Sequence, residues 1–326
     1  MTKYVISGYI GFDNFGDEAI AKVLTSYLKS KKAKKITVLS SNPHKTARLY
    51  DVYSANYLKF FKPIIESDVL ISGGGSLLQD VTSLKSLIYY LAVIVFALVF
   101  KKKVIIFAQG FTPFRTKIGK FFTKFVLKYC DKIYVRDAKS QEILKNLNLE
   151  SELVSDPVFA MPVQREKNKK GVGVQLRSFH TLNDKFLETL ADEISQNFSG
   201  EIIKLFSLQD SLDLSVLENF AKKLEKRNLK SEVYKNLTVE KATEELSKLE
   251  YLISMRFHSS LVAAKAGVKI LGINYDIKVL NLAQHIGFPI IGLEEDSFKK
   301  EFKDLINLDT SNYNIPEFKF PNLLTI

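Results

Sequence analysis

Residues 7–20, Ser-Gly-Tyr-Ile-Gly-Phe-Asp-Asn-Phe-Gly-Asp-Glu-Ala-Ile, follow a short β-type run (Tyr4-Val5-Ile6) and open directly into a helical pattern that ends near Lys32. A strand, a loop with Gly8, Gly11 and Gly16, and a helix start together constrain this chain more than any other segment. Glycines let a backbone approach a ligand closely, and a helix N-terminus offers unpaired N–H groups and the positive end of a dipole. The spacing is not the dinucleotide fingerprint, and no acidic residue takes the ribose role. A tight strand-to-helix turn that binds nothing would look the same. Two further segments add weight: Ser72-Gly73-Gly74-Gly75-Ser76, and Met255-Arg256-Phe257-His258-Ser259.

Short apolar runs alternate with helical patterns along the whole chain. The first half offers strands at Lys3–Ser7, Lys35–Ser40, Asp68–Ser72, Lys103–Ala108 and Lys132–Val135, with the pair Leu153-Val154 before Asp156-Pro157. Helical patterns cover Asp17–Lys32, Leu84–Phe100, Lys117–Tyr129 and Ala138–Asn146. A polar break at Gln164–Lys170 reads as a linker. The alternation then restarts with strands at Val172–Leu176, Ile202–Phe206, Tyr251–Met255 and Lys269–Ile273. Between and after them lie helices at Asp184–Asn197, Leu212–Arg227, Val239–Lys248, His258–Ala266 and Lys278–His285. Apolar strands alternating with helices predict parallel, doubly wound sheets. The expected fold is α/β, with two doubly wound Rossmann-like domains facing a cleft. The expected division is residues 1–163, residues 171–290 and a C-terminal tail over 291–326, which looks extended after Asp309, where Pro316 and Pro321 lie. A chain of 326 residues accords with two domains better than one.

Charge narrows the partners. The formal net charge is +11. Lysines crowd predicted helix faces and ends, at Lys29, Lys31, Lys32, Lys34 and Lys35 and again at Lys222, Lys223 and Lys226. A solvated surface explains them as well as an anionic partner does. Anionic substrates or an anionic membrane surface are the functional readings. Nucleic acid comes last, because no nucleic-acid module is recognisable. Cys130 stands alone, which rules out an intrachain disulfide and a thiolate metal cluster. Met1-Thr2-Lys3 leads into a strand with no secretory signal, so a cytoplasmic protein is expected. The apolar run Leu87–Phe100, followed by Lys101-Lys102-Lys103, has 14 residues against the roughly 20 needed to cross a bilayer. A buried helix is its first reading. Peripheral contact with the inner face of the plasma membrane is its second.

In open α/β sheets, ligands bind beyond the carboxyl ends of the strands. That rule selects Gly8–Gly16, Gly73–Ser76, Gln109-Gly110, Arg136-Asp137, Arg177, Arg256–Ser259 and Asn274–Asp276. Arg136, Arg177 and Arg256 matter because a planar guanidinium suits carboxylate and phosphate oxygens. Each competes with a structural ion pair, most strongly Arg136 beside Asp137. Among the four histidines, His44 and His285 fall in a loop and a late helix, whereas His180 follows Arg177 closely. His258, two residues after Arg256 at a strand end, is the preferred general acid–base. No Cys/His metal spacing, Gly-x-Ser-x-Gly elbow or phosphate-loop Gly-Lys-Ser/Thr is present, which argues against a metal site and covalent Ser/His hydrolysis. The residues themselves imply a two-domain enzyme with an anionic substrate.

An ordered set of stretches resembles the polysaccharide pyruvyltransferase family, in its cell-surface-anchoring (S-layer anchoring) branch. They are Gly8–Ile20, Ser72–Asp80 with Thr82-Ser83, Val135-Arg136-Asp137 with Ser140, Asp156-Pro157, Val174–Arg177, Met255–His258, and Tyr275-Asp276 with Lys278-Val279. Asp13 stands where the family commonly has glycine, Phe257 where smaller apolar residues also occur, and proline is missing near Asp276. The resemblance implies a fold similar to B-type glycosyltransferases, with phosphoenolpyruvate as co-substrate and no other cofactor. The implied product is a pyruvate ketal, commonly across the 4- and 6-hydroxyls of N-acetylmannosamine or a hexose. The acceptor implied is a cell-wall polymer or its lipid-linked precursor. His258 and Arg256 are then the expected catalytic residues. The expected substrate contacts are Arg177, Gly11, Asn14, Gly16, Asp17, Gly73, Gly74, Gly75, Ser76, Gln79, Asp80, Arg136, His180, Ser259 and Asp276. The glycine loops are placed on the acceptor side and the second domain on the phosphoenolpyruvate side. The alternatives are a B-type glycosyltransferase with a nucleotide-sugar donor and a non-catalytic scaffold of an envelope assembly.

Overall fold

The computed structural model describes residues 1–81, 83–295 and 297–323; Thr82, part of one family-like stretch, lies outside them. The chain divides into two compact units, Met1–Met161 with Glu317–Ile326, and Pro162–Pro316.

The first unit runs β1 (Lys3–Ser7), α1 (Phe15–Ser30), β2 (Lys35–Ser40), α2 (Pro43–Tyr50), β3 (Tyr53–Asn56), α3 (Phe61–Ile65), β4 (Val69–Gly73), α4 (Leu84–Val99), β5 (Lys103–Gln109), α5 (Lys117–Leu127), β6 (Lys132–Val135), α6 (Ala138–Lys145) and β7 (Glu152–Leu153). Its seven strands form one sheet in the order β3-β2-β1-β4-β5-β6-β7. The pairings are parallel, with Ser7 in register with Ser72 across β1 and β4. Both faces are covered, so the central strands are apolar on both sides. Tyr4 and Ile6 enter the core beneath α1, while Val5 enters the one shared with α4 and α5.

The second unit runs β8 (Val172–Gln175), α7 (Asp184–Asn197), β9 (Ile203–Phe206), α8 (Asp210–Glu225), β10 (Ser231–Tyr234), α9 (Val239–Ser247), β11 (Tyr251–Ser254), α10 (Phe257–Ala266), β12 (Lys269–Asn274), α11 (Ile277–Ile286), β13 (Ile290–Gly292) and α12 (Lys299–Ile306). Its six parallel strands are ordered β10-β9-β8-β11-β12-β13. Each sheet therefore reverses its winding once, between β1 and β4 in the first and between β8 and β11 in the second. Such switch points open a crevice at the strand ends where ligands settle.

The expected tail over 291–326 divides between the two units at Pro316–Glu317. Phe298, Phe302 and Leu305 fill the core of the second unit through α12. Residues 317–323 return to the first unit, where Phe320 stacks on Tyr27 at 3.8 Å and Leu323 is buried. His44, expected in a loop, lies in the first turn of α2, started by Pro43 behind the Asn42 cap.

Candidate active site

The first switch point carries the two glycine loops, and they touch. Gly74 and Gly75 adopt left-handed backbone (φ +75° and +71°). A side chain on Gly74 would meet Ile20 Cγ2 at 2.3 Å, and one on Gly75 would meet Asp17 Oδ1 at 2.8 Å. Glycine is therefore required for the loop after β4 to lie on the first turn of α1. The loop is pinned by Gly74 N–H to Phe107 O and by Gly110 N–H to Gly75 O, both 2.8 Å. Asn14 caps α1, accepting from Gly16 N–H at 3.0 Å. Gln109 donates to the Ser72 carbonyl (3.0 Å) and hydroxyl (2.9 Å), and its buried Oε1 has no partner among the described residues.

Glu18, in the first turn of α1, reaches back to the loop after β1. Its buried carboxylate accepts from Gly11 N–H at 2.6 Å and from the Tyr50 hydroxyl. Burial pushes its pKa above the ordinary carboxylate value, despite those bonds. Asp13, where the family pattern has glycine, has φ +57°, and Lys45 holds its carboxylate at 2.6 Å.

Several expected ligand contacts have partners within the protein. Arg136 is buried between Asp156 (3.5 Å) and Asp137 (3.6 Å) and donates to Ser76 Oγ at 3.2 Å. Asp80 is also buried. Its carboxylate accepts from Arg115 N–H (2.8 Å), Thr116 N–H (2.8 Å) and the Thr116 hydroxyl (2.6 Å), which fixes the start of α5. Burial raises the Asp80 pKa, but those hydrogen bonds outweigh it and hold the carboxyl below its usual value. Gln79 Oε1 accepts from Val81 N–H at 2.7 Å. In the second unit, Asp276 caps α11 through Lys278 N–H at 3.0 Å. Ser259 is fully buried, hydrogen-bonded to Ser254 Oγ (2.7 Å) and Arg256 O (2.9 Å).

At the second switch point Ser254 pairs in register with Gln175, so β8 and β11 run on into Arg177 and Arg256 side by side. Their environments are opposite. Arg256 is buried, and its guanidinium grips Asp213 through Nε–Oδ2 (2.9 Å) and Nη2–Oδ1 (2.5 Å). Gln209 Oε1 accepts from Nη2 at 3.3 Å, and Gln175 Oε1 accepts from the Arg256 backbone N–H at 2.9 Å. Asp213, on α8, also accepts from Leu208 N–H (2.9 Å), Gln209 N–H (3.1 Å) and Gln175 Nε2 (3.2 Å). Arg256 was expected to clamp substrate; its fork is instead occupied by a saturated carboxylate.

Arg177 has no carboxylate partner among the described residues. Its Nη1 donates to the Tyr275 hydroxyl at 3.3 Å, and its guanidinium lies 5.4 Å from the Tyr275 ring centre. Its Nε–H is buried with no acceptor among the described residues. Leaving such a donor unmet costs about 1–3 kcal/mol, more for a charged group, unless something else accepts from it. Phe179 packs against Tyr275 (5.1 Å) on one side and the exposed His180 ring (4.3 Å) on the other. His258 is half-buried in the first turn of α10, its ring edge-on to Phe257 at 5.0 Å.

The sequence model of the polysaccharide pyruvyl transferase family matches residues 14–277, more than three quarters of the chain. The chain belongs to that family. No curated protein matches its sequence. Solved structures resemble its fold at low identity. UDP-bound MnaA from S. aureus has a TM-score of 0.65 at 11% identity, covering 96% of this chain and 90% of its own. The Neisseria meningitidis UDP-GlcNAc 2-epimerase bound to UDP-GlcNAc gives 0.62 at 11%, covering 97% and 95%. Anabaena HepE with UDP and glucose gives 0.63 at 9%, covering 97% and 92%. This pyruvyl transferase thus has the two-domain Rossmann-like fold of the B-type glycosyltransferases, and the likeness carries no further than fold.

Sequence reading did not single out Glu18, Gln175, Gln209, Asp213 or Tyr275, whose side chains contact the candidate residues or the glycine loop. Gln175 and Tyr275 stood inside family-like stretches and were readable there. Asp213 sits on a helix face 38 residues from Gln175, with no local pattern to mark it.

Proposed function

We propose that this pyruvyl transferase is phosphoenolpyruvate-dependent and belongs to the cell-surface-anchoring branch. It forms a ketal across two hydroxyls of one sugar, the 4- and 6-hydroxyls of N-acetylmannosamine or a hexose, in a cell-wall polymer or its lipid-linked precursor. One observation carries the donor assignment: Arg177, a strand-end guanidinium with a buried Nε–H and, among the described residues, neither an acceptor for it nor a carboxylate beside it. Phosphoenolpyruvate supplies the missing acceptor through its carboxylate or phosphate oxygens. Arg256 follows the neighbouring strand end, with its charge largely neutralised by Asp213, and acts as a positioning residue.

The chemistry needs one proton placed on the methylene carbon of the enol phosphate. A sugar hydroxyl bonds to the phosphate-bearing carbon, phosphate leaves, and the second hydroxyl closes the ring. Of the two hydroxyl protons, one ends on the new methyl group and the other on the released phosphate. His258, at the helix start beside Arg256, is the group assigned to proton transfer.

Thermal unfolding with phosphoenolpyruvate, UDP and UDP-sugars in parallel tests the donor. Ligand at about 100 times its dissociation constant stabilises the folded state by about 2.7 kcal/mol. Selective stabilisation by phosphoenolpyruvate is expected, followed by phosphate release when an N-acetylmannosamine-bearing acceptor is added. Stabilisation by a UDP-sugar alone would make the chain a nucleotide-sugar enzyme.

A further inference from the structure

A surface helix normally turns polar side chains outward. Helix α4 does not. Its exposed positions are Leu84, Lys85, Ile88, Ala92, Val95 and Val99, and Phe100 follows, so the outward stripe is apolar apart from one lysine. Helix α5 lies beside it in the same core, where Gly119 approaches Leu87. Its outward side carries Ile118 (63% exposed), Phe121 (63%), Phe122 (51%) and Phe125 (54%), with Tyr129 (56%) just beyond its end. Lys117, Lys120, Lys124 and Lys128 run alongside, all exposed. Aromatic and lysine stripes on one helix, next to an apolar helix, form a face larger than the single apolar residues scattered on ordinary surfaces.

The charge of this face selects its occupant. From Val81 to Cys130 the chain holds nine basic residues and no acidic one. A second copy of the chain docking here by two-fold symmetry would bring lysine rows together with no carboxylate from this stretch to pair them. An anionic lipid surface satisfies both halves at once: rings and aliphatic tips enter the acyl boundary, and lysine stems lie along it with their ammonium groups at the headgroups. Among the described residues no helix is long and apolar enough to cross a membrane, so the contact lies on the surface.

We propose that the outer faces of α4 and α5 form a docking surface for an anionic lipid bilayer. The same face begins beside the first glycine site: Ser83 caps α4, and Asp80, at the end of the stretch holding the second glycine loop, fixes the start of α5. A docked protein therefore has that loop's end of the first sheet tied directly to its membrane face. The docking surface is independent of the donor assignment, since no residue proposed to handle phosphoenolpyruvate belongs to it.

The full chain contains no tryptophan, so Phe122→Trp places a single reporter on the face. Vesicles of equal phosphatidylcholine and phosphatidylglycerol should co-sediment the protein and shift that tryptophan's emission to the blue. Vesicles of phosphatidylcholine alone should do neither. The double variants Phe121→Ser with Phe125→Ser, and Lys120→Glu with Lys124→Glu, should each weaken binding at least about tenfold, each surface lysine being worth about fivefold. Because all four side chains are exposed, circular dichroism should show both variants folded. Absence of wild-type co-sedimentation, equal binding by the variants, or a dimer abolished by Phe121→Ser with Phe125→Ser in place of vesicle binding would each overturn the proposal.

Discussion

Asp213 holds Arg256 at both ends of its guanidinium fork, through Nε–Oδ2 at 2.9 Å and Nη2–Oδ1 at 2.5 Å, with both side chains out of water. Breaking such a pair from one side leaves an uncompensated buried charge, a loss of about 3–5 kcal/mol. Asp213→Asn keeps the volume and removes the charge. It should lower the unfolding free energy by that amount, read as a lower denaturant midpoint with an unchanged slope. A loss below about 1 kcal/mol would mean that solvent or a bound anion already neutralises Arg256.

Glu18 gives a pH signature of opposite sign to most carboxylates. Burial raises its folded-state pKa above the unfolded value, so the folded protein holds this proton more tightly. Stability from that protonation is complete below the unfolded pKa and is lost as pH rises through the folded value. Glu18→Gln cannot titrate. Relative to wild type, its stability should therefore improve as pH climbs from about 4, then level off once the raised pKa is passed. Denaturant titrations of both proteins across that range would show the drift; a flat difference would place Glu18 in an ordinary environment.

The strands and their sheet edges show what was legible in the sequence and what was not. Strands Lys3–Ser7, Lys35–Ser40 and Lys132–Val135 were readable to the residue, because strands buried on both faces leave continuous apolar runs. The strands absent from that reading, β3, β10 and β13, all lie at sheet edges, where one side needs no partner and Tyr53, Glu232 and the short Ile290–Gly292 keep no such run. The strand-end rule found both switch points. It could not tell Arg177 from Arg256, because the difference is Asp213, supplied by a helix distant in sequence.

Gly11 and Gly200 share nearly the same left-handed φ, +85° and +86°, but not the same surroundings. A side chain on Gly200 meets nothing within 4 Å. One on Gly11 would meet Ser40 Oγ at 2.2 Å and the backbone nitrogen of Asn42 at 2.6 Å. Gly200→Ala should cost only the conformational term, about 1–2 kcal/mol. Gly11→Ala should cost about 1–3 kcal/mol more, because backbone must move. Equal losses in paired unfolding measurements would show that the loop after β1 is free to shift.

His258 is assigned to proton transfer, and its removal should appear in turnover before affinity. His258→Ala is expected to lower kcat about 10²–10⁴-fold while leaving KM for phosphoenolpyruvate within a few-fold, the pattern of a lost general acid–base. Near-normal turnover would move the proton to another group.

Arg177 separates a binding role from a structural one. Among the described residues it has no ion pair to lose, and its buried Nε–H has no acceptor. Arg177→Gln removes that unmet donor at the loss of one long hydrogen bond to Tyr275 and should therefore destabilise the fold by no more than about 1 kcal/mol, while abolishing the thermal shift given by phosphoenolpyruvate. Arg177→Lys keeps the charge without the planar fork and should bind phosphoenolpyruvate more weakly than wild type. The Asp213→Asn variant provides the contrast, because there the loss is in folding itself. If Arg177→Gln were destabilised as strongly as Asp213→Asn and still shifted normally with phosphoenolpyruvate, Arg177 would be part of the scaffold and the donor would be held elsewhere.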